Sequence, residues 1–497
     1  MAELEEVFQI IEEGDIQNPS LRGKLSTLRQ LVKEEKNLEL TIEQEKLLVK
    51  LFQSRDGKTR KNLALLLGAI GTDEIVEDLF KAYKKEEQRF VKSAYLIAMA
   101  QRDYRNYVRD FKEEIEELQK SEITDENRKH MQEQLRELTK LVVAMEGVLK
   151  HKFIGSHEDS HIVLLTNKNC VEATSKQMIS LQPIEFRSGV RVTTNRLQKL
   201  LPIRTYHELL FVVDGMKLLP SDMVSCAKKI VQSDLIEFLK KRHEGSTPFY
   251  FRVELKTSLP LDKKSELVKK LITYIEQDSH RELINSTTNY EIEIRLVENQ
   301  EGNYYTFVKL YTIRDVRFEY RSESVSTSIK PVDAALLVEL AKPYMKIDAR
   351  VLDPFCGVGT MLIERQKVVK ANTSYGIDYL GEAITKAHRN TELAGQIIHY
   401  VNKDFFAFTH EYVFDEIFTN MPFAMGRTTK EEITVLYERF FVQSKIHLEV
   451  DGQIIMYTHD CELAKTLAKK NGYEVIEQFP ILTKKHTDLL ILYRKDK

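Results

Sequence analysis

The last third of the 497-residue chain holds three acids, two glycines and an Asn-x-Pro-Phe run whose types and spacing suit nucleotide chemistry. Residues 350–364 read as a short apolar strand, a turn carrying Gly357 and Gly359, and the start of a helix. Glycines there let the backbone turn sharply and leave no side chain between it and a ligand. About twenty residues on, Tyr375-Gly376-Ile377-Asp378 ends a second strand in an acid, the position that grips a ribose in nucleotide folds. A third strand ends in Asp404-Phe405, and a fourth, residues 416–419, runs into Asn420-Met421-Pro422-Phe423. These are the parts of a site for S-adenosylmethionine with a base amine as acceptor.

Methyl transfer from a sulfonium is a direct displacement that needs alignment more than acid or base strength. Asp353 is expected to set the loop and the ligand's amino-acid end, Asp378 to take both ribose hydroxyls, and Asp404 to accept from the adenine amine with Phe405 as a flank. A strand-end turn or a helix cap is the plainer use of each acid. An exocyclic amine is a poor nucleophile because its lone pair is delocalised into the ring. Two acceptors aimed at its hydrogens, the Asn420 side-chain oxygen and the Met421 carbonyl, favour the reactive pyramidal form. Phe423 would stack on the base, worth about 1–3 kcal/mol in single-stranded sites, and the base must leave its own stack to arrive; core packing is the alternative. Arg427 reads as a phosphate contact or a solvated residue. Cys356 lies in the loop and reads as a small packing residue. His459 and Asp460 form no recognisable triad or metal set.

The elements that must position these residues alternate strand and helix from Val351 onward, which predicts a doubly wound parallel sheet with right-handed crossovers. Residues 452–458 make a fifth strand, and residues 473–479 and 488–493 an antiparallel hairpin at the end. Pro331 suits a first helical turn, followed by an apolar face over residues 334–341. Residues 1–150 read as helix almost throughout. Segments 59–67 and 90–98 align at a spacing of about thirty-one, as in stacked helix pairs, with a plain bundle as the alternative. Residues 112–136 read as a solvated helix pair. Between these regions the spacing predicts strands at 162–165, 189–193 and 249–255, and helices at 206–213, 221–241 and 263–276. Two alternating strands, 290–296 and 304–310, are each expected to keep one wet face.

Composition fits a soluble protein: 42% hydrophobic and 30% charged residues, with no apolar run long enough to span a bilayer. The acidic start, Met1-Ala2-Glu3-Leu4-Glu5-Glu6, argues against a targeting peptide. Four scattered cysteines form no CxxC pair, which suits a reducing cytoplasm and offers no zinc signature. The net charge of −2 conceals 27 Lys+Arg against 23 Asp+Glu in residues 151–330. That modest basic excess suits RNA, or simply a solvated surface.

Four runs together resemble the THUMP-containing RNA methyltransferases, specifically the guanine-N2 branch that acts on tRNA. They are Arg317-Phe318-Glu319-Tyr320-Arg321, Ser328-Ile329-Lys330-Pro331, Asp353-Pro354-Phe355-Cys356-Gly357-Val358-Gly359-Thr360 and Asn420-Met421-Pro422-Phe423. The resemblance implies a multidomain α and α/β protein. Its C-terminal part, 316–497, would be a Rossmann-like class I methyltransferase domain with a mainly parallel seven-stranded sheet. Residues 151–315 would be an α+β ferredoxin-like plus THUMP-like RNA-binding region. Residues 1–150, HEAT-like in pattern, lie outside the usual family plan and offer a surface for a protein partner. The resemblance further implies that Lys330, Pro331, Asp353, Pro354, Phe355, Cys356, Gly357, Gly359, Thr360, Asp378, Asp404, Phe405 and Asn420 bind the cofactor. Asn420, Met421, Pro422 and Phe423 would carry catalysis, with tRNA as partner and neither metal nor membrane involved. Met421 replaces the first proline of the Asn-Pro-Pro-Tyr or Asn-Pro-Pro-Phe motif of many amino-methyltransferases, which argues against adenine N6. The rival readings are methylation of ribosomal RNA or of a pyrimidine carbon-5, and an RNA-binding assembly factor that keeps the cofactor fold without turnover. For the carbon-5 reading Cys461, after the fifth strand, would be the covalent nucleophile.

Overall fold

The computed structural model describes residues 2–34, 40–120, 128–146, 151–245, 248–426, 428–482 and 486–495. The chain forms two compact units, Met1–Lys150 and His151–Lys497.

In the first unit the helices Ser20–Glu34, Gly57–Ile70, Arg89–Met99 and Arg128–Glu146 pack each on the next in that order. The two aligned segments lie in Gly57–Ile70 and Arg89–Met99. Asp56 starts the first by accepting from the Lys58 and Thr59 amides. These helices cross so closely that a Cβ on Gly68 would lie 2.5 Å from Ala98 Cα. Of the stretch expected to be solvated, residues 121–127 lie outside the described residues. Its inner side is not wet: Gln134 is buried and donates to the Tyr83 hydroxyl at 2.7 Å.

The second unit begins with a mixed sheet of nine strands. Residues 206–213, expected to be helical, are instead the strand Tyr206–Val212, paired antiparallel with Ser160–Thr166 and meeting Tyr304–Leu310 at Phe211 and Val308. So short a helix is marginal alone, and neighbours on both edges decide for the strand. Residues 221–241 divide into Met223–Gln232 and Leu235–Arg242, because Ser233 is extended: its hydroxyl donates to the Ile230 carbonyl at the end of the first and accepts from the Leu235 amide at the start of the second. Ile292–Glu298 has no wet face. Glu293 and Arg295 are buried, and the charges are matched sideways: Glu293 by Arg252 at 2.9 Å, Arg295 by Glu208 at 2.9 Å, and Glu208 also by Lys309 at 2.8 Å.

The C-terminal sheet has seven strands: β1 (Arg350–Asp353), β2 (Thr373–Asp378), β3 (His399–Asn402), β4 (Phe414–Asn420), β5 (Leu448–Thr458), β6 (Tyr473–Leu482) and β7 (Thr487–Arg494). Their order is β3-β2-β1-β4-β5-β7-β6, with β7 antiparallel to both its neighbours and the other pairings parallel. The helices are α1 (Pro331–Ala341), α2 (Thr360–Val368), α3 (Gly381–Leu393), α4 (Lys430–His447) and α5 (Cys461–Lys470). Strand order reverses between β1 and β4, so a crevice opens at their carboxyl ends. Arg365 of α2 and Glu416 of β4 are fully buried and paired at 2.9 Å, with Gln453 also donating to Glu416.

The nine-stranded and seven-stranded sheets are tied across position 315. Arg204 reaches Glu364 of α2 with two bonds of 2.8 and 2.6 Å, and the Tyr320 hydroxyl donates to the same carboxylate. Arg317, a candidate RNA contact by its position in the basic third, is buried and donates to Asp315 and to the Ile203 and Tyr206 carbonyls. It is a structural strap. No described helix is long and apolar enough to cross a membrane.

Candidate active site

Asp353 closes β1 and is 1% exposed; its Oδ1 accepts from the Phe355 amide at 3.1 Å and from the Thr419 hydroxyl of β4 at 2.6 Å. Burial penalises the charged form and pushes this carboxyl up to about 7. Gly357 and Gly359 follow at φ +53° and +81°, the left-handed region. A Cβ on Gly359 would lie 2.1 Å from the Tyr400 hydroxyl, whereas one on Gly357 would meet open space. The Gly357 amide donates to Asp378 Oδ2 at 3.0 Å, and the Leu380 amide to Asp378 Oδ1 at 2.9 Å. Asp378, its carboxyl raised by burial, thus brackets the loop at the end of β2. A carboxylate has about four acceptor sites, so it keeps capacity for two hydroxyls. Thr360 opens α2 and accepts from Arg321 Nε at 2.9 Å. Cys356 is a buried residue of the loop itself, and burial pushes its thiol well up.

A cavity of about 700 Å³ opens in this crevice. Of the residues singled out in the sequence, Pro354, Phe355, Cys356, Gly357, Thr360, Asp378, Asp404, Phe405 and the run Asn420, Met421, Pro422, Phe423 line it. Lys330, Pro331, Asp353 and Gly359 do not. Lys330 is exposed and, with Pro331, marks the start of α1, while Thr327, Ser328 and Ile329 just before them form the wall. Asp353 and Gly359 act from behind, as strut and hinge of the loop. The Phe405 ring is 2% exposed and packs on Phe355, Phe440 and His447, so it is a floor rather than a flank. Phe406, which sequence reasoning missed, shares the wall and carries the Arg439 guanidinium 3.8 Å above its ring. Asp404 fixes that turn by accepting from the Phe406 amide at 3.0 Å.

At the other end of the cavity β4 runs out into Asn420. The Met421 amide donates to the Tyr457 carbonyl of β5 at 2.9 Å, the Met421 side chain is fully buried, and the Pro422 carbonyl accepts from the Tyr437 hydroxyl at 3.3 Å. These bonds hold Met421 and Pro422 in place. Asn420 Oδ1 is buried yet has no hydrogen-bond partner among the described residues. Such an atom costs about 1–3 kcal/mol, which a ligand donor would recover. The Phe423 ring lies on His459, centroids 3.9 Å apart and planes 18° from parallel. No sequence pattern pairs these two rings, which lie just beyond the carboxyl ends of neighbouring β4 and β5. Cys461 opens α5, does not line the cavity, and has its thiol pushed up to about 11 by burial. Arg427 lies outside the described residues. No group of side chains suited to a metal occurs among those described.

Residues 319–487 match the family model described as RMKL-like, methyltransferase domain. That stretch is a methyltransferase domain. No curated protein matches the chain in sequence. Among solved structures, TrmN from Thermus thermophilus is similar at 19% identity and TM-score 0.52, covering 68% of this chain and 99% of its own. A predicted N6-adenine-specific DNA methylase from Listeria monocytogenes is similar at 16% identity and TM-score 0.51, over 68% and 97%. SMU.472, taken for a methyltransferase and solved with SAH, is similar at 13% identity and TM-score 0.52, over 68% and 99%. These likenesses are of fold, the class I methyltransferase fold. S-adenosylmethionine is the cofactor of such a domain, and the residues present suit it: free acceptor capacity at Asp378 and Asp404, an open approach at Gly357, and the orphan acceptor of Asn420 beyond.

Proposed function

We propose that the chain is an RNA methyltransferase that uses S-adenosylmethionine to methylate the exocyclic N2 of guanosine in tRNA. The observation that carries this reading is Asn420 Oδ1, a buried acceptor without a donor at the end of β4. A base amine supplies the missing donor, and its pairing with Asn420 pulls the amine toward the pyramidal geometry that attacks. The cofactor supplies an electrophilic methyl group on a sulfonium. Asp378 would take the ribose hydroxyls and Asp404 the adenine amine, with Phe406 beside it. The Met421 carbonyl is the second acceptor, and Phe423 the platform for the base. Residues 151–315 read as a ferredoxin-like and THUMP-like part that holds RNA, and the helical residues 1–150 as a HEAT-like surface for a protein partner, in a cytoplasmic enzyme.

A carbon-5 enzyme needs a thiolate; the buried, raised thiol of Cys461 outside the cavity speaks against that rival. Single-turnover methyl transfer to total tRNA tests both. Asn420→Ala should slow transfer by about a hundredfold or more, as for loss of one preorganised polar group, with little change in cofactor affinity because Asn420 faces the base, while Cys461→Ala keeps most activity. A dead Cys461→Ala beside an active Asn420→Ala would overturn the amine reading. Mass spectrometry of tRNA and rRNA nucleosides from a deletion strain identifies the product, and no change in either would favour a factor without turnover.

A further inference from the structure

We infer that His459 is the back plate of a nucleobase-stacking subsite, holding the Phe423 ring flat so that one face of it stays open to a flipped base. The inference rests on the reading above that the acceptor is a base. Phe423 sits in residues 421–426, which have no regular secondary structure, so no helix or strand fixes its ring. His459 is fixed. It directly follows β5, and its neighbour Asp460 is pinned twice, by its amide to the Thr458 hydroxyl at 3.1 Å and by its carboxylate to the Leu463 amide at 3.1 Å. Tyr457 meets the imidazole edge-on at 5.4 Å. Against this plate Phe423 stacks at 3.9 Å and 18°, with one ring face laid nearly flat on the imidazole.

A planar ring with one face covered has one face to offer, and Phe423 lines the same cavity as Asn420. A base laid on that face has its stacking plane set by Phe423 and its amine set by Asn420. Holding the ring in advance removes the cost of ordering it when RNA arrives. His459 touches neither the base nor the cofactor in this scheme; it is a positioning residue.

The test uses the full chain with His459→Ala and His459→Phe. His459→Ala should raise KM for total tRNA by roughly three- to tenfold, with kcat and cofactor affinity within about twofold of wild type. His459→Phe rebuilds a flat stack and should restore KM. A second readout needs no turnover: quenching of a short single-stranded RNA carrying 2-aminopurine, with S-adenosylhomocysteine present. Wild type and His459→Phe should quench, and His459→Ala should quench less. Equal KM and quenching in wild type and His459→Ala would overturn the inference. So would a His459→Phe as impaired as His459→Ala, which would show that the imidazole nitrogens matter rather than the ring plane. RNA that binds wild type without quenching would show that no base stacks there. A product other than N2-methylguanosine would end the guanine reading while leaving the stack standing, so the two fail separately.

Discussion

Asp378 gives two acceptor sites to the glycine loop before any ligand arrives, through the Gly357 and Leu380 amides. Replacing it therefore removes a ligand contact and loosens the loop together. Asp378→Ala should weaken S-adenosylmethionine binding by about tenfold or more, near 1.4 kcal/mol; calorimetry showing equal affinity would take Asp378 out of the site. Asp353 leads to a pH test. Its folded pKa, about 7, lies above the value of about 4 expected in the unfolded chain. The folded state then holds a proton that the unfolded chain has released, so the group's contribution is full below about pH 4 and is lost as pH rises through about 7. Thermal melts should show wild type losing stability relative to Asp353→Asn between about pH 4 and pH 7; a constant difference would refute the shift. The acids and glycines were legible because a strand-end acid and a left-handed turn are backbone demands that fix residue type. Phe406 and His459 were not, since two adjacent phenylalanines look alike in sequence and the His459 stack forms only across strands.

At the level of elements, α2 and β4 are joined by the fully buried Arg365–Glu416 pair, with Gln453 as a further donor. Removing one charge leaves the other uncompensated in the interior. Arg365→Ala should cost about 3–5 kcal/mol, and Arg365→Met with Glu416→Gln should recover much of it. Urea unfolding midpoints of the three proteins check this, and a single variant as stable as wild type would contradict it. The alternation of strands and helices after Val351 and the closing hairpin are the parts of the fold that the sequence made plain, since the strands there are short apolar runs set off by turn residues. Residues 206–213 were misread because a short apolar run fits either period. Only its partners on both sides make it a strand, and they lie distant in the chain.

For the molecule as a whole, His151–Lys497 is compact by itself, so that fragment should fold and bind S-adenosylmethionine with an affinity within about twofold of the full chain, a difference of a few tenths of a kcal/mol. Calorimetry decides; loss of binding would show that the helical unit completes the site. The same fragment should bind tRNA less tightly as salt rises, through the basic excess of residues 151–330. The sequence drew a further boundary at 315, but Arg204 and Arg317 bind across it. Long-range ion pairs of this kind leave no periodic trace. They also limit how such a protein can be recombined. A chimera that takes its catalytic half from this chain and its central region from a relative inherits Glu364, a carboxylate sealed from water, without the guanidinium of Arg204 that answers it. Gene-level shuffling at this seam is therefore penalised unless both halves travel together, and the seam is one inheritance unit even though it looks, along the chain, like a place to cut.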